Sequence, residues 1–475
     1  NGRPCLFRSL LATLAPYLRL RSTSRDVELL PQMTTVPPTA PPGPTEPFAF
    51  DANADTLRYL TEGFERWGDV WSIPPGGGAD SATKGGGLPI WVLNDPEAIH
   101  HVLTKRQPDY GKGVGFERVK MLLGDGLIVS DGEHWRKRRQ MLQPAFTRGA
   151  VGRMTGILDA AIDARADVWE RAAASGEPLD VSDEANRLGL RIILRAIFGP
   201  DLDELDAREG GNPFDLVVDT HTRDLMFAMR FRQLWPVVGE KVEERRARGP
   251  EAEPSDFLGA YLAARDKDGA GLDREGIVDE IMTLLVAGHE TSAATIAWAW
   301  SLLSRHPEIQ AAVREEALAT DGRVPAGPAA PKALDLTHRV VHETLRHYPP
   351  VWMFTRRALV DDELCGYPVP AGTQILLSPF LLHRHPDHWE GPERFDPGRF
   401  NAAGTAPVRG AYIPFSSGPR RCAGDHFAIA TVVRHLAWTA SRDHLRPSDQ
   451  GAPPRLDPGV NLRALEPIRL VVMRP

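Results

Sequence analysis

Three short stretches of this chain combine residue types that can do chemistry. The first is Phe415-Ser-Ser-Gly418-Pro-Arg420-Arg421-Cys422-Ala-Gly424, where one thiol is framed by two glycines, an aromatic ring and two arginines. The other two cysteines, Cys5 and Cys365, have ordinary surroundings. The residues after Cys422 read as the start of a helix. Its unpaired N–H groups and positive end lower a thiol pKa and stabilise a thiolate. Gly418 lets the loop turn, and Gly424 lets a flat group pack close, because neither has a Cβ. Arg420 can reach a carboxylate on such a group. A buried structural cysteine is the plain alternative, and the pattern of fixed positions outweighs it. The second stretch, Ala287-Gly288-His289-Glu290-Thr291-Ser292, sets an acid beside a hydroxyl. Such a pair can hold water and pass protons from solvent, although alone it would read as a solvated face. Glycine inside a helix costs ~1 kcal/mol relative to alanine, so Gly288 points to close approach by something flat. The third is Glu343-Thr-Leu-Arg346, an ion-pair spacing of little worth on an exposed helix.

These residues need elements to hold them. The strongest periodic stretch runs from about Asp273 to His306, with Ile277, Ile281, Leu284, Leu285, Gly288, Ser292 and Thr295 at helical spacing. Glu290 and Thr291 therefore sit midway along a helix long enough to cross a domain. A helix over Val340–His347 carries Glu343 and Arg346 and stops at Pro349-Pro350. A last helix is predicted from Ala423 to about Ser441, before strand-like residues 467–473. Near the start, Asp55–Trp67 reads as a helix, and Val70–Ile73 and Pro89–Leu93 as strands around a Gly/Ser-rich insert, Gly76–Gly87. No Gly-Lys-Ser/Thr opens a helix there, so the insert is a hairpin loop, not a phosphate loop.

At 475 residues, 42% of them hydrophobic and 25% charged, the chain can bury a large core. Its net charge of −7 gives no hint of a nucleic-acid partner. Three irregularly spaced cysteines exclude a disulfide framework and point to a reducing compartment, the cytoplasm. No segment approaches the ~20 apolar residues of a membrane-spanning helix. Cys5–Leu20 comes nearest and could be an interfacial helix or a poor signal peptide. Met33 opens a typical start, so residues 1–32 are expected to lie outside the folded enzyme. Residues 1–50 are expected to be extended or poorly ordered, and 51–475 to form one mainly α domain with small β-sheets.

The loop from Phe415 to Gly424 matches, at every fixed position, the signature of the cytochrome P-450 haem-thiolate enzymes. The chain resembles that family from roughly Asp51 to Pro475. The resemblance implies the cytochrome P-450 fold and haem b (iron protoporphyrin IX), with Cys422 as the axial iron ligand. Phe415 would pack near it and Arg420 would pair a propionate. The family thiolate pushes electron density that favours O–O cleavage. Ala287–Thr291 is similar to the family's oxygen-activation motif, which makes Glu290 and Thr291 the proton relay. Trp135 and Arg139, four apart, share a helix face, and the resemblance has both bonding a propionate. Arg356 joins them, with Arg357 close behind. Arg136, Lys137, Arg138 and Arg421 are then left to form a basic surface for an acidic electron carrier, although a solvated face suits each singly. Glu343 and Arg346 resemble a buried family pair that takes an arginine from a later loop. The string Pro392-Glu-Arg394-Phe395 invites Arg394, but family spacing aligns Trp389, Pro392, Phe395, Pro397, Arg399 and Phe400, giving that role to Arg399. His383-Arg-His385-Pro-Asp-His388 crowds three histidines, yet nothing completes a zinc spacing.

The resemblance implies a monooxygenase that inserts one atom of O2 into an apolar small molecule. Little chain follows the cysteine loop, so electrons are expected from separate proteins, a ferredoxin and its reductase. Phe116, Ala287, Val351, Trp352 and Phe354 are the expected pocket residues. One departure stands out. His221–Asp256 looks short for the two helices and loop that roof the family's pocket, so a more open roof is expected. A peroxide-driven peroxygenase, or a silent haem-binding sensor, is the alternative.

Overall fold

The computed structural model describes residues 40–474 apart from 49–53, 76–88, 220–224, 250–253, 326–329, 402–406 and 450. The N-terminal segment 1–32 and the insert Gly76–Gly87 thus lie outside the described residues, the latter between two strands that do pair.

The elements that matter to the site are, in chain order, helices α1 (Ala54–Trp67), α2 (Phe116–Leu123), α3 (Gly132–Leu142), α4 (Val181–Phe198), α5 (Leu225–Arg232), α6 (Leu234–Arg248), α7 (Arg274–Arg305), α8 (Asp335–His347) and α9 (Asp425–Arg442). The strands are β1 (Val70–Ile73), β2 (Ile90–Leu93), β3 (Tyr110–Lys112), β4 (Leu179–Asp180), β5 (Phe354–Ala358), β6 (Asp362–Leu364), β7 (Tyr367–Val369), β8 (Gln374–Leu377), β9 (His444–Pro447), β10 (Leu456–Pro458), β11 (Leu462–Ala464) and β12 (Arg469–Met473).

The axis is α7. It runs 32 residues, about 48 Å at the standard helical rise. Asp273 caps it, its carboxylate accepting the Gly276 N–H at 2.8 Å. Ile277, Ile281 and Leu285 are buried on its apolar stripe, and from Thr295 to Ser304 every residue is buried. A helix covered on all sides is a core element, not a surface one. Its closest partner is α4. A Cβ on Gly288 would come within 2.7 Å of Ile193 Cδ1, and one on Gly189 within 3.1 Å of the His289 carbonyl. Gly288 therefore serves a tight helix crossing with α4, which corrects the expectation that it faces a flat group.

The largest sheet has the order β1-β2-β8-β5-β3. Strands β2 and β8 are parallel, while β1–β2, β8–β5 and β5–β3 are antiparallel. The last pairing sets Lys112 opposite Arg356. A three-stranded sheet, β4-β12-β9, and the hairpins β6–β7 and β10–β11 are the other sheets among the described residues. The region expected to be short contains two helices, α5 and α6, separated only by Gln233. Pro236 is tolerated because it lies in the first turn of α6, where no intrahelical N–H bond is lost. The shortness is thus in the connection, not in missing helices.

Candidate active site

The cysteine loop is a tight structure before α9. The Cys422 N–H donates to the Phe415 carbonyl at 2.9 Å, and the Arg421 N–H to that of Gly418 at 3.0 Å. Ser416 and Gly418 both take the left-handed conformation, at φ 59° and 69°. A Cβ on Gly418 would lie 2.0 Å from the Leu103 carbonyl oxygen, so only glycine fits that turn. On Gly424, by contrast, a Cβ would meet nothing nearer than the Phe146 ring at 3.9 Å. Space is open there.

Helix α9 begins at Asp425, so Ala423 and Gly424 separate Cys422 from its first turn. Cys422 is exposed as a residue, yet protein surrounds its thiol closely enough that burial pushes its pKa up. The Gly424 N–H, Arg139 and Arg421 pull the other way without prevailing. The expected lowering by a helix terminus is therefore not met in the protein alone.

A nest of cations borders the same region. Arg420 stacks over Trp135, its guanidinium carbon 4.1 Å from the ring centroid. It donates to the Ser130 carbonyl at 3.1 Å and pairs with Asp131, while its buried Nε has no partner. Arg356 is buried, donates to the Thr355 carbonyl at 2.8 Å, and is pulled down to about 10 by burial and the Arg420 charge. Burial, Arg356 and Arg420 hold the Lys112 ammonium well below its ordinary pKa, and Asp131 only partly compensates. Arg139 is desolvated too and lies near enough to feel the charges of Cys422 and Asp425. Crowded cations in poor solvation are costly unless anions meet them. A flat group with two carboxylates, set against the thiol, would answer both the charge excess and the orphaned Nε. The residues present fit a haem.

Helix α7 opens one face. Val286 is 39% exposed and Ala287, Glu290 and Thr291 are half-covered, whereas Leu285, His289, Ser292 and Ala293 are buried. The Thr291 hydroxyl donates to the Ala287 carbonyl at 2.7 Å, and Asn461 Nδ2 donates to Glu290 Oε2 at 2.8 Å. Helix α9 packs against α7 and carries the cysteine loop at its N-terminal end.

Glu343 and Arg346 are fully buried, joined by Nε and Nη2 bonds of 2.8 and 2.9 Å. Arg399 Nε lies 3.4 Å from Glu343 Oε1. Arg394 turns outward to Asp396 at 2.8 Å and lends only its carbonyl to Arg346. Of the two arginines, Arg399 is the one whose guanidinium lies beside Glu343. Two of the three histidines have polar partners of their own: His383 accepts the Ile413 N–H and His385 holds Asp69 at 2.7 Å.

Two expectations fail. Trp352 is 1% exposed, packs in the core and donates to the Gly459 carbonyl at 2.9 Å, so it does not line a pocket. The free basic surface is also absent as drawn. Arg136 pairs with Glu133, Lys137 with Asp266 at 2.6 Å, Arg421 with Asp425 at 2.6 Å, and Arg138 is buried against Glu280 at 2.9 Å. Val351 is exposed, Phe354 lies 4.9 Å under the Arg356 guanidinium, and Phe116 lies 4.4 Å under Lys112. Sequence reasoning missed Lys112, Asp131 and Asn461. For Lys112 the only signal was a cation at the end of a strand, and nothing marked Asn461.

Fold and site together define a haem-dependent oxygenase. The model of the cytochrome P-450 family matches residues 81–237 and 211–468. Cyclooctat-9-en-7-ol 5-monooxygenase of Streptomyces melanosporofaciens is 36% identical over 74% of this chain and 79% of its own length. Pentalenene oxygenase of Streptomyces avermitilis is 33% identical over 74% and 81%. The crystal structure of cytochrome P450DA heme domain shares 26% identity and a TM-score of 0.78 over 92% of this chain and 96% of that one. The chain belongs to the cytochrome P-450 family and is a monooxygenase, using haem, O2 and electrons from redox partners. Among the described residues no helix is long and apolar enough to cross a membrane.

Proposed function

We propose that this protein is a haem b monooxygenase of apolar, terpene-like molecules. Cys422 supplies the thiolate, and Lys112, Trp135, Arg139, Arg356 and Arg420 hold the two carboxylates. When bound, the haem supplies oxygen activation: one atom of O2 enters the substrate and the other leaves as water, at the expense of two electrons and two protons. The observation that carries the reading is the crowding of Lys112, Arg356 and Arg420, with the buried Arg420 Nε left without a partner, next to the cysteine loop.

The chain's own residues would prepare that chemistry. Gly418 and Ser416 turn the loop that carries Cys422, and Gly424 leaves open space two residues on. Carboxylates arriving in the cation nest relieve the mutual repulsion of Lys112, Arg356 and Arg420. Thr291 holds water with the hydroxyl that now bonds Ala287, and Glu290 brings a proton to it. Substrate contacts fall to Val286, Ala287, Val351, Phe116 and Phe354, whose apolar surface suits a hydrocarbon.

The relatives named for cyclooctat-9-en-7-ol and pentalenene support the terpene class. Electrons would come from a ferredoxin and its reductase. A cleft of about 330 Å³ beside the cysteine loop, lined by His100, Thr104, Arg409, Tyr412, Ser416 and Arg421, offers the carrier a place close to the thiol. Cytoplasmic residence is supported by three cysteines in no disulfide pattern. The test is the absorbance of the reduced, carbon monoxide-bound protein. The red-shifted band of a thiolate-ligated haem is expected, and its loss in Cys422→His with haem retained. A native band at the position of a histidine-ligated haem would overturn the reading. Titration of the haem-loaded protein with pentalenene should give a saturable shift of its absorbance spectrum.

A further inference from the structure

Asp131 stands where three segments of the cation nest meet. It precedes α3 at the N-cap position, with an extended backbone at φ −132° and ψ 173°. Its carbonyl accepts the Trp135 N–H at 3.2 Å, the first bond of the helix. An aspartate there ordinarily turns its side chain back to accept an N–H of the first turn. Asp131 makes no such bond. Its Oδ2 accepts the Lys112 N–H, at the end of β3, at 2.8 Å, and its Oδ1 pairs with Arg420 Nη2 of the cysteine loop. Lys112 lies opposite Arg356 in the β3–β5 register. One carboxylate thus ties β3, α3 and the cysteine loop together. The consequence falls on Arg420. Its Nη1 donates to the Ser130 carbonyl at 3.1 Å, its Nη2 is taken by Asp131, and its guanidinium carbon sits 4.1 Å from the Trp135 ring centroid. With both Nη atoms engaged, Nε is the buried donor left without a partner. A guanidinium holds its donors in a rigid plane, so fixing two of its nitrogens fixes the direction of the third. Burial holds Lys112, Arg356 and Arg420 below their ordinary pKa values, and the Asp131 charge works against that in all three.

We infer that Asp131 is a positioning residue and built-in counter-ion for the haem carboxylates: with the Ser130 carbonyl it occupies both Nη atoms of Arg420 and leaves Nε to receive a propionate. The inference rests on the reading of the nest as the carboxylate site, and adds to that site a residue of the opposite charge. Two effects follow, and they differ in sign. Holding Arg420 in one orientation favours retention of the cofactor, because less side-chain freedom is lost when the carboxylate arrives. The negative charge opposes the incoming carboxylates. It also favours ferric over ferrous iron, since the oxidised form carries one more positive charge. Water reaches 39% of the Asp131 side chain but only 6% of that of Arg420. Substitution at 131 therefore opens no buried hole, and solvent screens the charge. Orientation then dominates retention, while the charge is read in the potential.

The test uses the full-length haem-loaded protein and two readouts that need no turnover. One is the rate of haem transfer to an excess of an acceptor globin, the other the ferric–ferrous reduction potential from a spectroelectrochemical titration. Asp131→Leu removes both the acceptor and the charge. It should speed haem transfer about three- to tenfold, the change that one ordinary hydrogen bond controls, and raise the potential. Asp131→Asn keeps an oxygen for Arg420 and removes the charge. It should transfer haem no faster than the native protein, yet share the raised potential. A residue that only supports the fold would not split the two readouts in this way. In an Arg420→Gln background, Asp131→Leu should add nothing to the transfer rate, as expected of residues acting through one group. Loaded with haem dimethyl ester, which lacks the carboxylates, the native protein and Asp131→Leu should lose cofactor at the same rate. Native-rate transfer from Asp131→Leu would sink the inference and leave the nest standing. Transfer from Asp131→Asn as fast as from the leucine variant, or an unmoved potential in Asp131→Asn, would do the same. If Arg420→Gln and Lys112→Met both keep haem as the native protein does, the nest is not the carboxylate site and the underlying reading is wrong.

Discussion

Glu343→Gln removes one charge from the centre of the protein while keeping the side-chain volume. Glu343 and Arg346 are both fully buried. The carboxylate accepts two bonds from Arg346, the Asp396 N–H at 2.9 Å, and an ion-pair contact from Arg399 at 3.4 Å. No solvent can replace that charge, so Arg346 would be left as an uncompensated buried cation. Breaking such a pair from one side costs about 3–5 kcal/mol, roughly a 10²- to 10³-fold or greater loss in the folded-to-unfolded ratio. Urea unfolding followed by tryptophan fluorescence reads this directly. The sign of the pH dependence follows from the carboxyl itself. Burial pushes it up, but the bonds from Arg346 and His347, the Arg346 charge and the Asp396 N–H together hold it below its ordinary value. Its contribution is therefore present above the unfolded-state pKa and is lost as pH falls through the folded one. The native protein should lose stability there, and Glu343→Gln should lose less over the same interval. Arg394→Ala is the control: its guanidinium is exposed, and a change within about 0.5 kcal/mol is expected. A Glu343→Gln cost below about 1 kcal/mol would refute the idea of a buried charge depending on its partner.

Three further outcomes are expected. Gly418→Ala forces a Cβ to 2.0 Å from a backbone oxygen at a left-handed φ, so haem incorporation, read from the carbon monoxide spectrum, should fall sharply. Gly288→Ala should cost about 1–3 kcal/mol by overpacking against Ile193, and Ile193→Val, which deletes the clashing Cδ1, should recover part of it in thermal melts; a haem-loss phenotype without destabilisation would refute the crossing. Lys112→Met should stabilise the haem-free protein while speeding haem loss to an acceptor globin. Because its folded-state pKa lies below the unfolded value, Lys112 makes haem-free stability rise with pH up to the ordinary lysine range, and the methionine variant should lack that slope.

Much of this was legible because the informative residues are local. The cysteine loop, the acid–hydroxyl pair and Glu343–Arg346 each sit within ten residues, and the long helix announced itself by its period. Arg399 was separable from Arg394 because a run of Trp, Pro and Phe positions fixes which arginine turns inward. What could not be read depends on distant partners. Lys137 and Arg138 looked like a basic surface until Asp266 and Glu280 arrived from far along the chain. Gly288 looked like room for a cofactor because Ile193 of α4 is invisible from its neighbours. Trp352 read as a pocket aromatic, but its depth is set by the hairpin that accepts its N–H.

The β3–β5 pairing has a kinetic meaning. Lys112 meets Arg356 only across that register, and Arg420 reaches Trp135 from the other side of the cysteine loop. Each half of the cation nest is thus split between the first and last thirds of the chain. Contacts so far apart in sequence form late in folding, since their loop-closure entropy is repaid only once the ends are in place. A ribosome-bound or nicked chain would lack a place for the carboxylates, however complete its central helix. Cofactor capture should therefore act as a final proofreading step: only a fully assembled chain acquires colour, and capture by mass action then holds the two ends together.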